Sequence, residues 1–294
     1  MKEIIAKQIL IPSKTPHEWF DIHYNMNLYR GCLHGCIYCD SRSACYQLND
    51  FEEIELKVNA LDILRTELAS KQKKTTIGTG SMSDPYNIYE AKMLYTRQDL
   101  ELLSEFNFPV HINTKSNLIL RDIDILQKIN QRTHASVAIS FSTMDDSLAA
   151  KLEPGAPSPS ERIMALKALN EAGIYAGILY MPVLPFITDN IISVTNMIDK
   201  AAEAGAKYII SWFGVSLREG SRDYFYEQLS KLDEKLVDLY KSTYGNSYSC
   251  NSPDHEKLWE TLINLCREKG IAYRMADVMT YSKMNYIEQL SLFG

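Results

Sequence analysis

The chain has 294 residues, with 31 Lys and Arg against 37 Asp and Glu and a formal net charge of −6 at neutral pH. That length suits one large α/β domain or two ordinary ones, and the acid excess lends no support to a broadly basic nucleic-acid surface, although a local basic face can sit inside an acidic average. Six cysteines are too few for a disulfide scaffold, no apolar run is long enough to span a bilayer, and Lys7 and Gln8 interrupt any signal-peptide core, so the chain is expected in the cytoplasm with no membrane partner.

Residues 1–20 read as an N-terminal extension. Ile22, Tyr24, Met26 and Leu28 then alternate with polar neighbours, the period-two signal of a strand. This strand runs into a polar, glycine-containing loop that carries Cys32, Cys36 and Cys39. Three thiolates so spaced suit an iron–sulfur cluster that leaves one iron without a protein ligand. A structural zinc site instead needs a fourth ligand, from His34 or from Cys45.

Further strands are predicted over residues 76–80, 110–114, 136–142, 176–181 and 208–213, with helices between them. Ser158, Pro159 and Glu161 form a capping box with proline at the first helical position, and helices are expected to close at Gly173, Gly205 and Gly270. Alternating strands and helices predict a parallel sheet, and six units are too few to close eight strands. The expected fold class is α/β, a partial (β/α)6 TIM-type barrel over residues 21–216. A C-terminal α-rich extension follows over residues 217–294, including one long charged helix over residues 223–241.

Ligands of such a fold lie at the carboxyl ends of the strands. After the second strand, Ser81, Ser83 and Asp84 can accept hydrogen bonds from an ammonium group, although any strand-to-helix turn uses the same residue types. Lys115 ends the third strand, where its ammonium either pairs with a carboxylate or reaches solvent. Ser140 and Ser142 share one face of the fourth strand, suited to a ribose hydroxyl or to local hydrogen bonds. Tyr180 and Met181 end the fifth strand, as an adenine wall or as core. Cys250 reads as an accessible thiol in a polar loop, and it and Tyr180 are the catalytic candidates. Cys266 reads as structural. Arg218, Arg222, Tyr224 and Tyr226 belong either to the barrel mouth or to a solvated helix start.

The Cys-x3-Cys-x2-Cys spacing with Tyr38 before the last cysteine resembles the signature of the radical S-adenosylmethionine (radical SAM) superfamily. Within it, Ser83-Asp84, Thr114-Lys115, Phe141-Ser142 and Glu153-Pro154-Gly155 resemble, in order and approximate spacing, the spore photoproduct lyase group of DNA-repair-photolyase-like proteins. The resemblance implies one [4Fe–4S] cluster on Cys32, Cys36 and Cys39. It further implies S-adenosylmethionine on the open iron, cleaved reductively to a 5′-deoxyadenosyl radical that takes hydrogen from a substrate, and a flavodoxin- or ferredoxin-like electron donor. It assigns S-adenosylmethionine contacts to Ser83, Lys115 and Ser142, with Met181 beside the adenine. Tyr38, Ser81, Asp84 and Ser140 complete the cofactor-binding candidates.

One departure bears on the substrate. Ser81 stands where the lyase carries its hydrogen-donating cysteine, and an O–H bond is too strong to act as the same donor. The expected substrate therefore differs from spore photoproduct. Two other readings stay open: a DNA-repair lyase that takes a flipped-out lesion, and a non-catalytic zinc-binding or nucleic-acid-associated module.

Overall fold

The computed structural model describes residues 1–46 and 50–281. Six parallel strands form the centre: β1 (Ile22–Met26), β2 (Thr76–Thr79), β3 (Val110–Thr114), β4 (Ala135–Phe141), β5 (Tyr175–Tyr180) and β6 (Ile209–Ser211). They lie side by side in chain order, with the short strand Ile11–Pro12 added antiparallel to β1 at the outer edge. The register shifts once, between Ile22 and Tyr24 of β1, and otherwise runs from Met26 opposite Thr79 through Val110 opposite Ala135 to Ile178 opposite Ile209. Among the described residues the sheet runs from the Ile11–Pro12 edge to the β6 edge without joining them, the open form of the barrel that six units predict.

Each strand is followed by a helix whose apolar residues recur at spacings of three and four. These are α1 (Ala60–Ser70), α2 (Tyr95–Glu105), α3 (Ile123–Arg132), α4 (Pro159–Glu171), α5 (Ile191–Glu203) and α6 (His255–Lys269). Leu64 and Leu68, Leu100 and Leu103, and Leu258, Leu262 and Cys266 all point into one core. They meet the outward residues of the strands there, among them Ile77, Ile112, Val137, Ile139, Ile178 and Ile209. The Ser158–Glu161 capping box forms at the start of α4 as expected. Gly173, Gly205 and Gly270 take positive φ where their helices turn back toward the sheet.

The inward residues tell a different story at the two ends of the barrel. Phe20, Ile22 and Tyr208 at the amino ends of the strands fill the interior together with Ala138, Leu179 and Ile210 farther along, backed by Val278, and Phe20 stacks on the buried ring of His111 at 3.8 Å. Toward the carboxyl ends the same faces carry Asn113, Lys115 and Ser140, which line a cavity. The identity of the inward residues, apolar around Phe20 and polar at Asn113, Lys115 and Ser140, therefore fills the interior and leaves polar groups at the carboxyl-end mouth.

Two expectations for the C-terminal part need correction. The single helix over residues 223–241 is two helices, Ser221–Ser230 and Glu234–Tyr244. Asp233 breaks it: its backbone is extended, and its carboxylate accepts the Lys235 amide at 2.9 Å to cap the second helix. Cys250 lies in a strand, Ser249–Asn251, paired antiparallel with Gly214–Ser216 and opposite Val215, rather than in an open loop. These helices and this ribbon build a second apolar cluster in which Val215, Leu217, Phe225 and Tyr240 pack against Cys36, Ile37 and Tyr38. Helix α6 instead returns to the main core and packs on α5. The part of the expected extension beyond residue 281 lies outside the described residues.

Candidate active site

The cysteine loop is held on two sides. Past β1 the pair Tyr29–Arg30 joins Glu55–Lys57 antiparallel, and the Cys32 amide donates to the Phe51 carbonyl at 3.1 Å. On the other side the Ile37 amide donates to the Leu152 carbonyl at 2.9 Å, and the Gly155 amide donates to the His34 carbonyl at 2.9 Å. The turn at Glu153-Pro154-Gly155 lies so close that a Cβ on Gly155 would sit 2.1 Å from the Leu33 carbonyl oxygen. A third contact comes from the C-terminal segment, where Arg218 Nε meets Asp40 Oδ1 at 3.1 Å and Tyr224 lies under the Arg42 guanidinium at 4.0 Å.

Cys32, Cys36 and Cys39 face one cavity, together with Tyr38, Ser81, Ser83, Asp84, Lys115 and Ser140. Burial pushes the Cys32 thiol up to about 12, with the Asp84 carboxylate adding to it. It raises Cys36 and Cys39 as well, while Lys115 draws Cys36 back and the Ser41 amide and Arg42 draw Cys39 back. Three thiols so placed, one buried and two half-buried, give up their protons to a cationic centre placed among them. Neither proposed fourth zinc ligand is placed for the task. His34 uses both ring nitrogens on protein partners, and Cys45 is exposed beside Ser43 and Arg218. The donor set fits a multi-iron cluster better than a single ion.

Asp84 is the first of two carboxylates that organise the mouth. It accepts from Thr114 Oγ1 at 2.7 Å, the Lys115 amide at 2.7 Å, the Tyr86 amide at 2.9 Å and His34 Nε2 at 2.9 Å. Burial alone would raise its pKa, but His34 and these donors outweigh it and hold the group below the ordinary range. His34 Nδ1 faces the Gly155 carbonyl at 3.2 Å, so both ring nitrogens meet acceptors and both carry protons. Burial opposes that charge, and the Asp84 carboxylate restores it, raising the histidine pKa. The pair ties the cysteine loop to the end of β3. Asp84 thus spends its oxygens inside the protein, where the sequence suggested an acceptor for a ligand ammonium.

Glu153 is the second. It is wholly buried and accepts from Tyr38 Oη, from Ser142 Oγ at 2.8 Å and from Arg162 Nη2 at 2.6 Å, with Lys115 Nζ at 3.7 Å. Arg162 is itself buried and also donates to the Ser140 carbonyl at 2.7 Å. Glu153, Arg162 and His34 carry this architecture: the sequence offered His34 only as a possible zinc ligand and Glu153 only as part of a resembling motif, and Arg162 was not singled out. Their partners lie tens of residues away along the chain, and the one available signal was the Glu153-Pro154-Gly155 turn.

The remaining candidates divide. Ser81 is exposed at the rim, and Ser83 Oγ donates to the Tyr29 carbonyl at 2.8 Å while facing the cavity. Ser142 is fully buried and committed to Glu153, so Ser140 and Lys115 are the strand-end groups that reach the cavity. Met181 is partly exposed and packs beside Leu179 on the inward face. Tyr180 points the other way, fully buried among the helix-facing core residues, and Cys250 is fully buried behind the cysteine loop. Neither catalytic candidate therefore meets the cavity: strand alternation turns Tyr180 outward, and the ribbon pairing covers Cys250.

Gly80 fixes how close β2 and β3 come at this mouth. Its φ is +92°, and a Cβ there would lie 1.8 Å from the Asn113 carbonyl oxygen. Gly80→Ala is expected to destabilise the chain by about 3 kcal/mol or more, from backbone strain and overpacking together. Urea unfolding with an unchanged slope would measure it, and a loss under about 1 kcal/mol would show that the strand ends move apart freely.

An open parallel β/α barrel with three thiols in one loop at its carboxyl-end mouth defines a class of protein: an enzyme fold that takes its cofactor at the strand ends. The profile of the Radical SAM superfamily matches residues 26–198, from the end of β1 through most of α5. The chain belongs to that superfamily and is an enzyme of it. It is similar to an uncharacterized protein of Mycobacterium bovis, 30% identical over 250 residues that cover 82% of this chain and 73% of the relative. It is also similar to an uncharacterized protein of Methanocaldococcus jannaschii, 27% identical over 278 residues that cover 92% of this chain and 95% of the relative. Among solved structures, its fold is similar to that of a spore photoproduct lyase variant with bound AdoMet and dinucleoside spore photoproduct. The TM-score is 0.71 at 15% identity, over 93% of this chain and 80% of that one. Superfamily membership implies a [4Fe–4S] cluster and S-adenosylmethionine as cofactors. No helix among the described residues is long and apolar enough to cross a membrane.

Proposed function

We propose that Cys32, Cys36 and Cys39 hold one [4Fe–4S] cluster and that the cavity beside them binds S-adenosylmethionine. The observation that carries this reading is that three thiols, Cys36 buried and Cys32 and Cys39 half-buried, share one cavity with the Lys115 ammonium at the polar end of the barrel. When bound, such a cluster supplies the electron that splits the sulfonium into methionine and a 5′-deoxyadenosyl radical able to take hydrogen from a substrate. The chain's own groups bind and orient. Lys115 is held by Glu153 with its ammonium in reach of a ligand carboxylate, Ser83 and Ser140 offer hydroxyl oxygens, and Met181 gives a soft apolar surface at the edge of the site. The apolar plug beneath, centred on Phe20 and Tyr208, keeps water from entering through the barrel. A reducing electron donor of the flavodoxin or ferredoxin type completes the system, in the cytoplasm.

The substrate in this reading is not spore photoproduct. Ser81 at the rim supplies no weak hydrogen–heteroatom bond, and Cys250 is covered, so neither returns a hydrogen atom to a product radical. The experiment is anaerobic incubation of the reconstituted chain with dithionite and S-adenosylmethionine, following methionine and 5′-deoxyadenosine. Release of both is expected, with no conversion of the dinucleoside photoproduct to thymines. Catalytic repair of that dinucleoside would return the chain to the lyase reading, and zinc without iron or sulfide would favour the non-catalytic module.

Lys115→Met is expected to raise the concentration of S-adenosylmethionine needed for half-maximal cleavage by roughly tenfold to a hundredfold, the size of one charge-assisted contact. An unchanged half-saturation would remove Lys115 from the binding set.

A further inference from the structure

At the opposite end of the barrel from the cysteine loop, two imidazoles converge on one carboxylate oxygen. His17 Nδ1 lies 3.0 Å from Asp21 Oδ1, and His23 Nε2 lies 3.8 Å from the same oxygen. One ligand atom from each of the three residues lies within 4.8 Å of the others. The rings meet edge to face at a centroid distance of 5.2 Å, which brings two nitrogens to one point rather than stacking them apart.

We propose that His17, Asp21 and His23 form a binding site for one divalent transition-metal ion of the zinc type, separate from the cysteine loop. Zn–N and Zn–O bonds of about 2.1 Å in a tetrahedron place ligand atoms about 3.4 Å apart. The two observed separations to the carboxylate fall on either side of that edge, and the imidazole nitrogens lie within 4.8 Å of each other, a spacing that modest side-chain rotation can close around one ion. Two imidazoles and one carboxylate also match the nitrogen and oxygen preference of such ions, unlike an all-carboxylate cluster that would favour calcium or magnesium.

The placement of the three residues adds to this. His23 lies on β1 and is fixed by the sheet, Asp21 stands just before it with φ +52°, and His17 sits on the short turn Pro16–Glu18 with its side chain 70% exposed. The ion would clip that turn to the first strand directly above Phe20, which plugs the barrel. Three protein ligands leave a fourth position to solvent on the exposed His17 side. The role assigned is fixing the closed end of the barrel, and it stands independently of the chemistry proposed at the other end.

The test uses the tag-free, cluster-loaded chain, so that the cysteine ligands are occupied. Equilibrium dialysis against micromolar Zn(II), with iron measured in the same sample, is expected to return one zinc per chain with iron unchanged. His17→Ala/His23→Ala, folded by circular dichroism, is expected to weaken uptake at least about a hundredfold, and Asp21→Asn by a smaller factor. Co(II) in place of zinc, read as a difference spectrum against the cobalt-free cluster-loaded chain, is expected to add the visible absorption of a nitrogen- and oxygen-ligated ion without adding thiolate-to-cobalt charge transfer in the near-ultraviolet. Zinc uptake matched by iron loss, uptake unaffected by removing both imidazoles, or no uptake at all would each overturn the proposal.

Discussion

Replacing Cys32, Cys36 or Cys39 singly with alanine is expected to abolish stable iron–sulfur incorporation and to lower S-adenosylmethionine cleavage by more than about a hundredfold. Losing an outer partner of a metal site typically costs ten- to a hundredfold, and losing a direct ligand costs more. Each thiolate is expected to hold a different iron, so two remaining cysteines leave half the cluster without protein ligands. The fold itself should survive, because the loop is held by the Phe51, Leu152 and His34 carbonyls and by the Asp84–His34 pair rather than by the thiols. Iron and acid-labile sulfide assays beside circular dichroism provide the check. Cys250→Ala and Cys266→Ala are the controls: both residues are fully buried in apolar clusters, so they should lose stability and keep iron. Full cluster content in any of the three ligand variants would contradict the assignment.

Glu153→Gln is expected to destabilise the chain by about 3 kcal/mol at neutral pH and to remove much of its acid sensitivity. Burial would raise the Glu153 pKa, but the Lys115 ammonium and the Arg162 guanidinium, helped by Tyr38 and Ser142, hold it at about 2 against an ordinary value of 4.5. The folded pKa is the depressed one. The contribution is therefore fully present above pH 4.5 and is lost as pH falls from there toward about 2. Integrated over that window it amounts to about 3 kcal/mol. Breaking the network also strands a fully buried Arg162 without its counter-charge, a cost of similar size. Urea unfolding from pH 7 to pH 3 would show the wild-type chain losing stability through the window and Glu153→Gln losing less. Parallel curves for the two proteins would mean that the carboxylate does not act as the ionic centre of the site.

Much of this architecture follows from short-range pattern. The cysteine spacing, the period-two strands and the Ser158–Glu161 capping box each depend on residues a few positions apart, and each appears where expected. What short-range pattern misses is the set of contacts that give the site its shape. Tyr38 and Glu153 are 115 residues apart and His34 and Asp84 are 50 apart, and no local rule pairs them. The same limit explains the misplaced roles. Cys250 sits among Ser249, Asn251 and Ser252 and so reads as exposed, but Ser249 and Asn251 alternate outward along a strand while the thiol turns in. Tyr180 and Met181 are adjacent, and a shift of one position decides which of them turns to the inward face of the sheet. Asp84 offered an acceptor by composition, and the fold fills it with Thr114, Tyr86, Lys115 and His34. The helix break at Asp233 was legible in principle, since an aspartate followed by Glu234 and Lys235 is an ordinary helix start.

The most direct measurement is low-temperature electron paramagnetic resonance of the anaerobically reconstituted, dithionite-reduced chain, with and without S-adenosylmethionine. The account predicts the signal of one reduced [4Fe–4S] cluster per chain, shifted when S-adenosylmethionine is added and absent from the Cys32, Cys36 and Cys39 variants. A four-iron signal indifferent to S-adenosylmethionine, or no such signal in a fully folded chain, would contradict it.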